Sequence, residues 1–121
     1  MRYFISIICF WAFSSFCVMA QSDYYARQAQ NYMREVDYYN RQAQGYDREA
    51  DYYNRKAQDY LREADYYSRR NNYDKVQLYN RWAQEATDKA RTQTRYANDA
   101  RDKAQLRLKW ANDALEKANR K

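Results

Sequence analysis

The stretch DYYNRQAQGYDREA, from Asp37 to Ala50, decides how this chain folds. The phrase recurs as DYYARQAQNYMREV from Asp23, as DYYNRKAQDYLREA from Asp51 and, cut short, as DYYSRR from Asp65, its starts lying fourteen residues apart. Fourteen residues are two heptads, the interval at which one face of a helix returns to the same partner. Within the phrase Tyr25, Ala29, Tyr32, Val36, Tyr39, Ala43, Tyr46, Ala50, Tyr53, Ala57, Tyr60, Ala64 and Tyr67 alternate at spacings of four and three. That is a heptad seam with Ala or Val at a and Tyr at d, and its seven tyrosines read as core packing.

The opposite face is equally regular. Arg27, Arg34, Arg41, Arg48, Arg55, Arg62 and Arg69 recur at f, while Asp23, Asp37, Asp51 and Asp65 stand at b, four residues before an arginine. An acid placed four residues before a base suits helical ion pairing, although each exposed pair contributes only about 0.3–0.5 kcal/mol. Tyr24, Tyr38, Tyr52 and Tyr66, at c, fit a solvated face less well. Stacking on the f arginines three or four residues away is one use for them, and contact with another molecule is the other.

Beyond residue 76 the fourteen-residue unit returns in altered form, as QLYNRWAQEATDKA from Gln77, RTQTRYANDARDKA from Arg91 and QLRLKWANDALEKA from Gln105. Between the two sets lies a unit of twelve residues containing SRRNNYD. Continued as helix, the missing two residues would swing the seam away from its partner, and Asn71-Asn72 suits a turn. A pivot between those asparagines sets Tyr60 opposite Ala83, Tyr53 opposite Ala90, Tyr46 opposite Ala97 and Tyr25 opposite Ala118. It also sets Ala43 opposite Ala100, with two flaws in the seam, Gln93 against Ala50 and Arg107 against Val36. Large against small is how layers interdigitate. Trp82, Tyr96 and Trp110, beside the seam, widen it into an aromatic edge that suits further helices from a second molecule.

Composition supports few, long elements: proline is absent, glycine occurs once (Gly45) and 31% of residues are charged. The N-terminus differs. Met1-Arg2 precedes an apolar run from Phe4 to Phe16, and Val18-Met19-Ala20 ends it with residues suited to a cleavage site. This predicts a secretory signal peptide cut between Ala20 and Gln21. The cut removes Cys9 and Cys17, so that no disulfide framework remains in the mature chain. The expected organisation is therefore a signal peptide over residues 1–20, a first helical arm over 21–70, a turn or hinge over 71–74 and a basic, Ala-rich second arm over 75–121. The expected fold is all-α, a long helical hairpin forming an antiparallel two-helix coiled coil with fourteen-residue repeats. The alternative is one continuous or hinged long helix that pairs with other chains.

The mature chain has no His or Cys, and its only serines are Ser22 and Ser68. No Ser–His or Cys–His nucleophile can be assembled, zinc and copper lose their usual ligands, and one glycine cannot make a phosphate-cradling loop. The reading is of a protein that is not an enzyme, with no catalytic, metal or cofactor residues and no small-molecule substrate. Twelve basic against seven acidic residues over 71–121 give weak support to nucleic-acid binding, but acids interleave with bases and no binding motif appears. Few Leu, Ile or Phe after residue 20 argue against a membrane role once the signal is removed.

Fourteen of the 101 residues from Gln21 onward are tyrosine, a composition that resembles secreted tyrosine-rich scaffold and adhesive proteins without matching a family motif. The expectation is a secreted, extracellular, non-enzymatic structural protein that associates with itself or with other matrix proteins in a matrix, shell, cuticle, eggshell, silk or adhesive. A soluble secreted binding or signalling factor of seminal, salivary or defence type is the alternative. Tyr24, Tyr38, Tyr52, Tyr66 and Tyr73 are the candidate association or cross-linking residues. Arg69 and Arg70 form a candidate dibasic processing site or a plain charged loop tip.

Overall fold

The computed structural model describes the backbone of residues 2–120 and the side chains of residues 20–120. The described chain is two long helices, α1 over Arg2–Arg69 and α2 over Tyr73–Asn119, with no strand among the described residues. Sound helix formers fill both, and neither contains proline. The side chains of the expected signal peptide up to Met19 lie outside the described residues.

α1 stops at a Schellman motif that the asparagine pair supplies. Asn71 takes a left-handed conformation with φ 58°. The Asn72 N–H then donates to the Tyr67 carbonyl at 3.0 Å, and the Asn71 N–H to the Ser68 carbonyl at 3.2 Å. Asparagine tolerates this conformation better than most residues and stands here where glycine is commonest. Asn72 also starts α2: its side-chain Oδ1 accepts from the Lys75 N–H at 3.4 Å, and its carbonyl accepts from the Val76 N–H at 3.2 Å. Asp74 adds a negative charge in the first turn. Capping by Asn72 lets α2 begin at Tyr73, inside the span expected as turn. A single uninterrupted helix does not form.

The chain divides into two compact units, one of residues Tyr39–Asp102 and one of residues Met1–Tyr38 with Lys103–Lys121. In the first, α1 and α2 lie side by side on either side of the turn. Ala43, Ala97 and Ala100 form a buried cluster with Tyr46 packed on it, so the positions that the asparagine pivot sets opposite each other meet here. Asp47 and Arg101 form an ion pair across the arms at its edge. In the second unit α1 and α2 also run antiparallel. The Ser22 hydroxyl donates to the Ala118 carbonyl at 2.9 Å, and further along Glu35 meets Arg107 at 2.6 Å.

The interior differs from the expectation in one respect. Among the described residues, the buried ones are Val36 and thirteen alanines, Ala29, Ala43, Ala50, Ala57 and Ala64 on α1 and Ala83, Ala86, Ala90, Ala97, Ala100, Ala104, Ala111 and Ala114 on α2. The seven d tyrosines are half-buried instead of forming the core. Alanine at so many facing positions leaves no space between the helices for a phenol ring. The rings therefore lie beside the seam, covering it while their edges stay in reach of water.

Candidate association surface

Consecutive residues of a helix are turned about 100° apart, so each DYY phrase sends its tyrosines to two rows. Tyr24, Tyr38, Tyr52 and Tyr66 are 57%, 57%, 50% and 43% exposed, and Tyr73 at the start of α2 is 67% exposed. All five candidate association residues are thus open to solvent. The outer row is not detached from the inner one, however. Tyr24 meets Tyr25 edge to face at 5.4 Å, Tyr52 meets Tyr53 at 5.3 Å and Tyr66 meets Tyr67 at 5.0 Å. Edge-to-face pairing sets the positive rim of one ring on the negative face of the other. Each of these outer rings is held at a fixed angle while still presenting surface outward.

A second support comes from four residues further along the helix. The Gln28 amide donates to the Tyr24 hydroxyl at 2.9 Å, the Lys56 ammonium sits 4.9 Å from the Tyr52 ring centre, and the Arg70 guanidinium lies 4.0 Å over the Tyr66 ring. These partners stand at g, and none is one of the f arginines that the sequence suggested. Residues four apart lie one above the other on a helix surface, which brings g over c. The Tyr52 hydroxyl, through its hydrogen bond, holds the Lys56 ammonium above the usual lysine range.

Along the flank of each unit the inner tyrosines meet a second row, from α2. Trp82, Tyr96 and Trp110 each precede a seam alanine, and the lysines Lys89 and Lys117 occupy the same helical row seven residues on from the two tryptophans. In the turn-containing unit Tyr46 meets Tyr96 at 5.5 Å, Tyr60 meets Trp82 at 5.7 Å and Lys89 lies 5.6 Å over Tyr53. Tyr53, Tyr60, Trp82 and Lys89, with Lys56 and Glu85, line an open groove of about 270 Å³. The other unit holds its own groove of about 290 Å³, lined by Tyr25, Gln28, Tyr32, Trp110, Asp113 and Lys117. There Tyr32 meets Trp110 at 5.7 Å and Lys117 lies 5.6 Å over Tyr25. Each lining position of one groove maps onto the other by a shift of twenty-eight residues, with the acid changing from Glu85 to Asp113 and Lys56 standing where Gln28 does. Aromatic walls with ammonium and carboxylate groups at the rim suit flat or aromatic groups. The aromatic edge was legible from Trp82, Tyr96 and Trp110. The lysines were overlooked, though their spacing from the tryptophans is visible in the sequence.

The remaining site residues lie apart from this surface. Ala20 and Gln21 are both exposed and sit within α1. Arg69 ends α1 with its guanidinium 3.1 Å from Asp65, and Arg70 enters the turn stacked on Tyr66. The dibasic pair is therefore open to solvent but held in helix and tight turn. Among the described residues no group of three or more His, Cys, Asp or Glu is arranged to hold a metal ion, and no helix is long and apolar enough to cross a membrane. No family model, no curated protein and no solved structure matches the chain.

Proposed function

We propose that the chain is a secreted, non-enzymatic structural protein that associates with itself in an extracellular material. In this reading residues 1–20 are a signal peptide removed between Ala20 and Gln21, and the fourteen-residue repeats form a coiled-coil hairpin. The carrying observation is the outer tyrosine row, four rings repeating every fourteen residues, each between 43% and 57% exposed. A second property points the same way. The seam is alanine, so large apolar side chains such as Leu61, Leu106, Leu108 and Leu115 remain between 40% and 52% exposed. Small seam residues bury little area at about 25 cal/mol per Å², and regular exposed aromatics offer the surface that further contacts would bury.

The test is sedimentation of the chain from Gln21 across a wide concentration range, beside a variant with Tyr24, Tyr38, Tyr52 and Tyr66 all changed to Gln. The wild-type chain forms assemblies of rising mass, and the variant stays smaller while keeping its helical circular dichroism. A wild-type chain that remains monomeric at every concentration overturns the proposal.

A further inference from the structure

A near-parallel ring stack lies away from the outer row, between the arms beside the turn. Tyr67, in the last turn of α1, and Tyr79, in the second turn of α2, have ring centres 5.6 Å apart and planes only 7° from parallel. Two other tyrosine pairs joining the arms are tilted, Tyr46 with Tyr96 by 56° and Tyr60 with Tyr79 by 35° at the longer distance of 6.3 Å. Three of the four DYY neighbour pairs, Tyr24–Tyr25, Tyr52–Tyr53 and Tyr66–Tyr67, are edge to face, at 67° to 85°. We propose that Tyr67 and Tyr79 are a modification site: the pair couples oxidatively into an intramolecular dityrosine that ties the two arms together beside the turn.

The chemistry favours a stack. A tyrosyl radical shares its spin between the phenolic oxygen and the two ortho Cε carbons, in orbitals normal to the ring. Offset parallel rings turn those lobes toward each other, whereas an edge-to-face pair turns one lobe toward a C–H bond. Each phenol first gives up one electron and one proton. A Cε–Cε bond then forms between the two rings, and the hydrogens on the joined carbons move to the oxygens as aromaticity returns. Two electrons and two protons leave in all. A haem peroxidase with hydrogen peroxide is the class of oxidant required, the peroxide O–O bond breaking to give two waters.

The surroundings supply access and restraint. Tyr67 and Tyr79 are half-buried, while the ring of the exposed Tyr66 lies 5.0 Å from Tyr67 and gives an oxidant an outer aromatic contact. Trp82 packs edge to face on Tyr79 at 5.3 Å, and the Lys75 ammonium lies 4.6 Å from the Tyr67 ring centre. The Schellman turn at Asn71 and the Asn72 cap define both helix ends close by. Holding the partners in one molecule makes coupling a unimolecular step, independent of protein concentration. The site does not rest on self-association, since both rings belong to one chain.

The experiment treats the full-length chain, at high dilution, with peroxidase and limiting hydrogen peroxide, and follows dityrosine fluorescence, gel mobility and tryptic peptides. The expected product runs as a monomer and contains peptide 63–69 joined to peptide 76–81 with the loss of two hydrogens, fragment ions placing the bond at Tyr67 and Tyr79. Its yield per chain is unchanged by dilution. Tyr79→Phe abolishes it, and Tyr66→Phe retains it, with circular dichroism reporting that each variant keeps its helices. Because the dilution series uses the wild-type chain, a variant that fails to fold leaves the test intact. Products joined only between chains, or through Tyr66 in place of Tyr67, overturn the assignment. Sedimentation before oxidation reads self-association separately, so the two proposals fail independently.

Discussion

Two stretches of the seam, one in each unit, solve the same packing problem differently. Around Tyr46 the layer is Ala43, Ala97 and Ala100, wholly apolar and closed, with Ala97 0% exposed. Around Val36 the facing position on α2 is Arg107, whose guanidinium Nε reaches Glu35 at 2.6 Å while its plane lies 4.3 Å over Trp110. The alanine layer contributes close approach but little identity, because one alanine layer resembles the next. Arg107 contributes identity. Sliding α2 by one heptad would exchange Glu35 for Gln28 or Gln42, leaving a half-buried cation without its carboxylate. Small residues bring the helices together, and one charged residue specifies where they stop.

The sharpest way to break this comparison is to enlarge the alanine layer. Ala97→Leu places a branched side chain where no surface is open, and overpacking of this kind costs about 1–3 kcal/mol, read as a lower denaturation midpoint. The same change at the exposed Gln44 serves as control and has little effect. A smaller effect tests the charged layer. Glu35→Ala removes the carboxylate that Arg107 meets beside Val36 and costs about 1 kcal/mol, discounted because Glu35 is 48% exposed. Arg107→Ala costs less than Glu35→Ala, or is neutral, since it restores an alanine to the seam. Its signature is register exchange, read as a lower yield of the disulfide between cysteines introduced at positions 25 and 118, which a one-heptad slide carries about 10 Å apart. An undiminished yield in Arg107→Ala would show that the alanine layers specify register unaided. The one stabilising change lies on the outer face. Gly45→Ala meets nothing within 4 Å and stabilises by about 0.5–1 kcal/mol through helix propensity, measured as a raised midpoint with an unchanged seam.

The seam was legible because a heptad fixes which face a residue occupies, and the turn was legible because a twelve-residue unit breaks that phase at Asn71-Asn72. Depth was not. A pattern of Tyr at d and Ala at a gives the same periodicity whether the phenol sits between the helices or beside them. Only the volume left by facing alanines decides that, and it excludes the rings. The outer row was read correctly as exposed, but its supports at Gln28, Lys56 and Arg70 lay at a position the charge pattern did not single out. The grooves depend on rings far apart in the sequence, and the Tyr67–Tyr79 stack on how the turn folds back two rings twelve residues apart, which periodicity alone does not give.

The asparagine turn also governs how such a chain can change length. A tandem copying error adds or removes one fourteen-residue block, and two heptads leave the phase of the helix it enters undisturbed. But the turn divides the chain, so a block gained on one side has no counterpart on the other. It leaves about 21 Å of helix with an alanine stripe facing nothing. Lengthening that preserves the pairing must occur twice, once on each side of Asn71-Asn72. Variants of this protein differing by twenty-eight residues, split evenly about the turn, should therefore keep their stability, whereas those differing by fourteen should carry an overhang open to proteases or to a neighbouring chain.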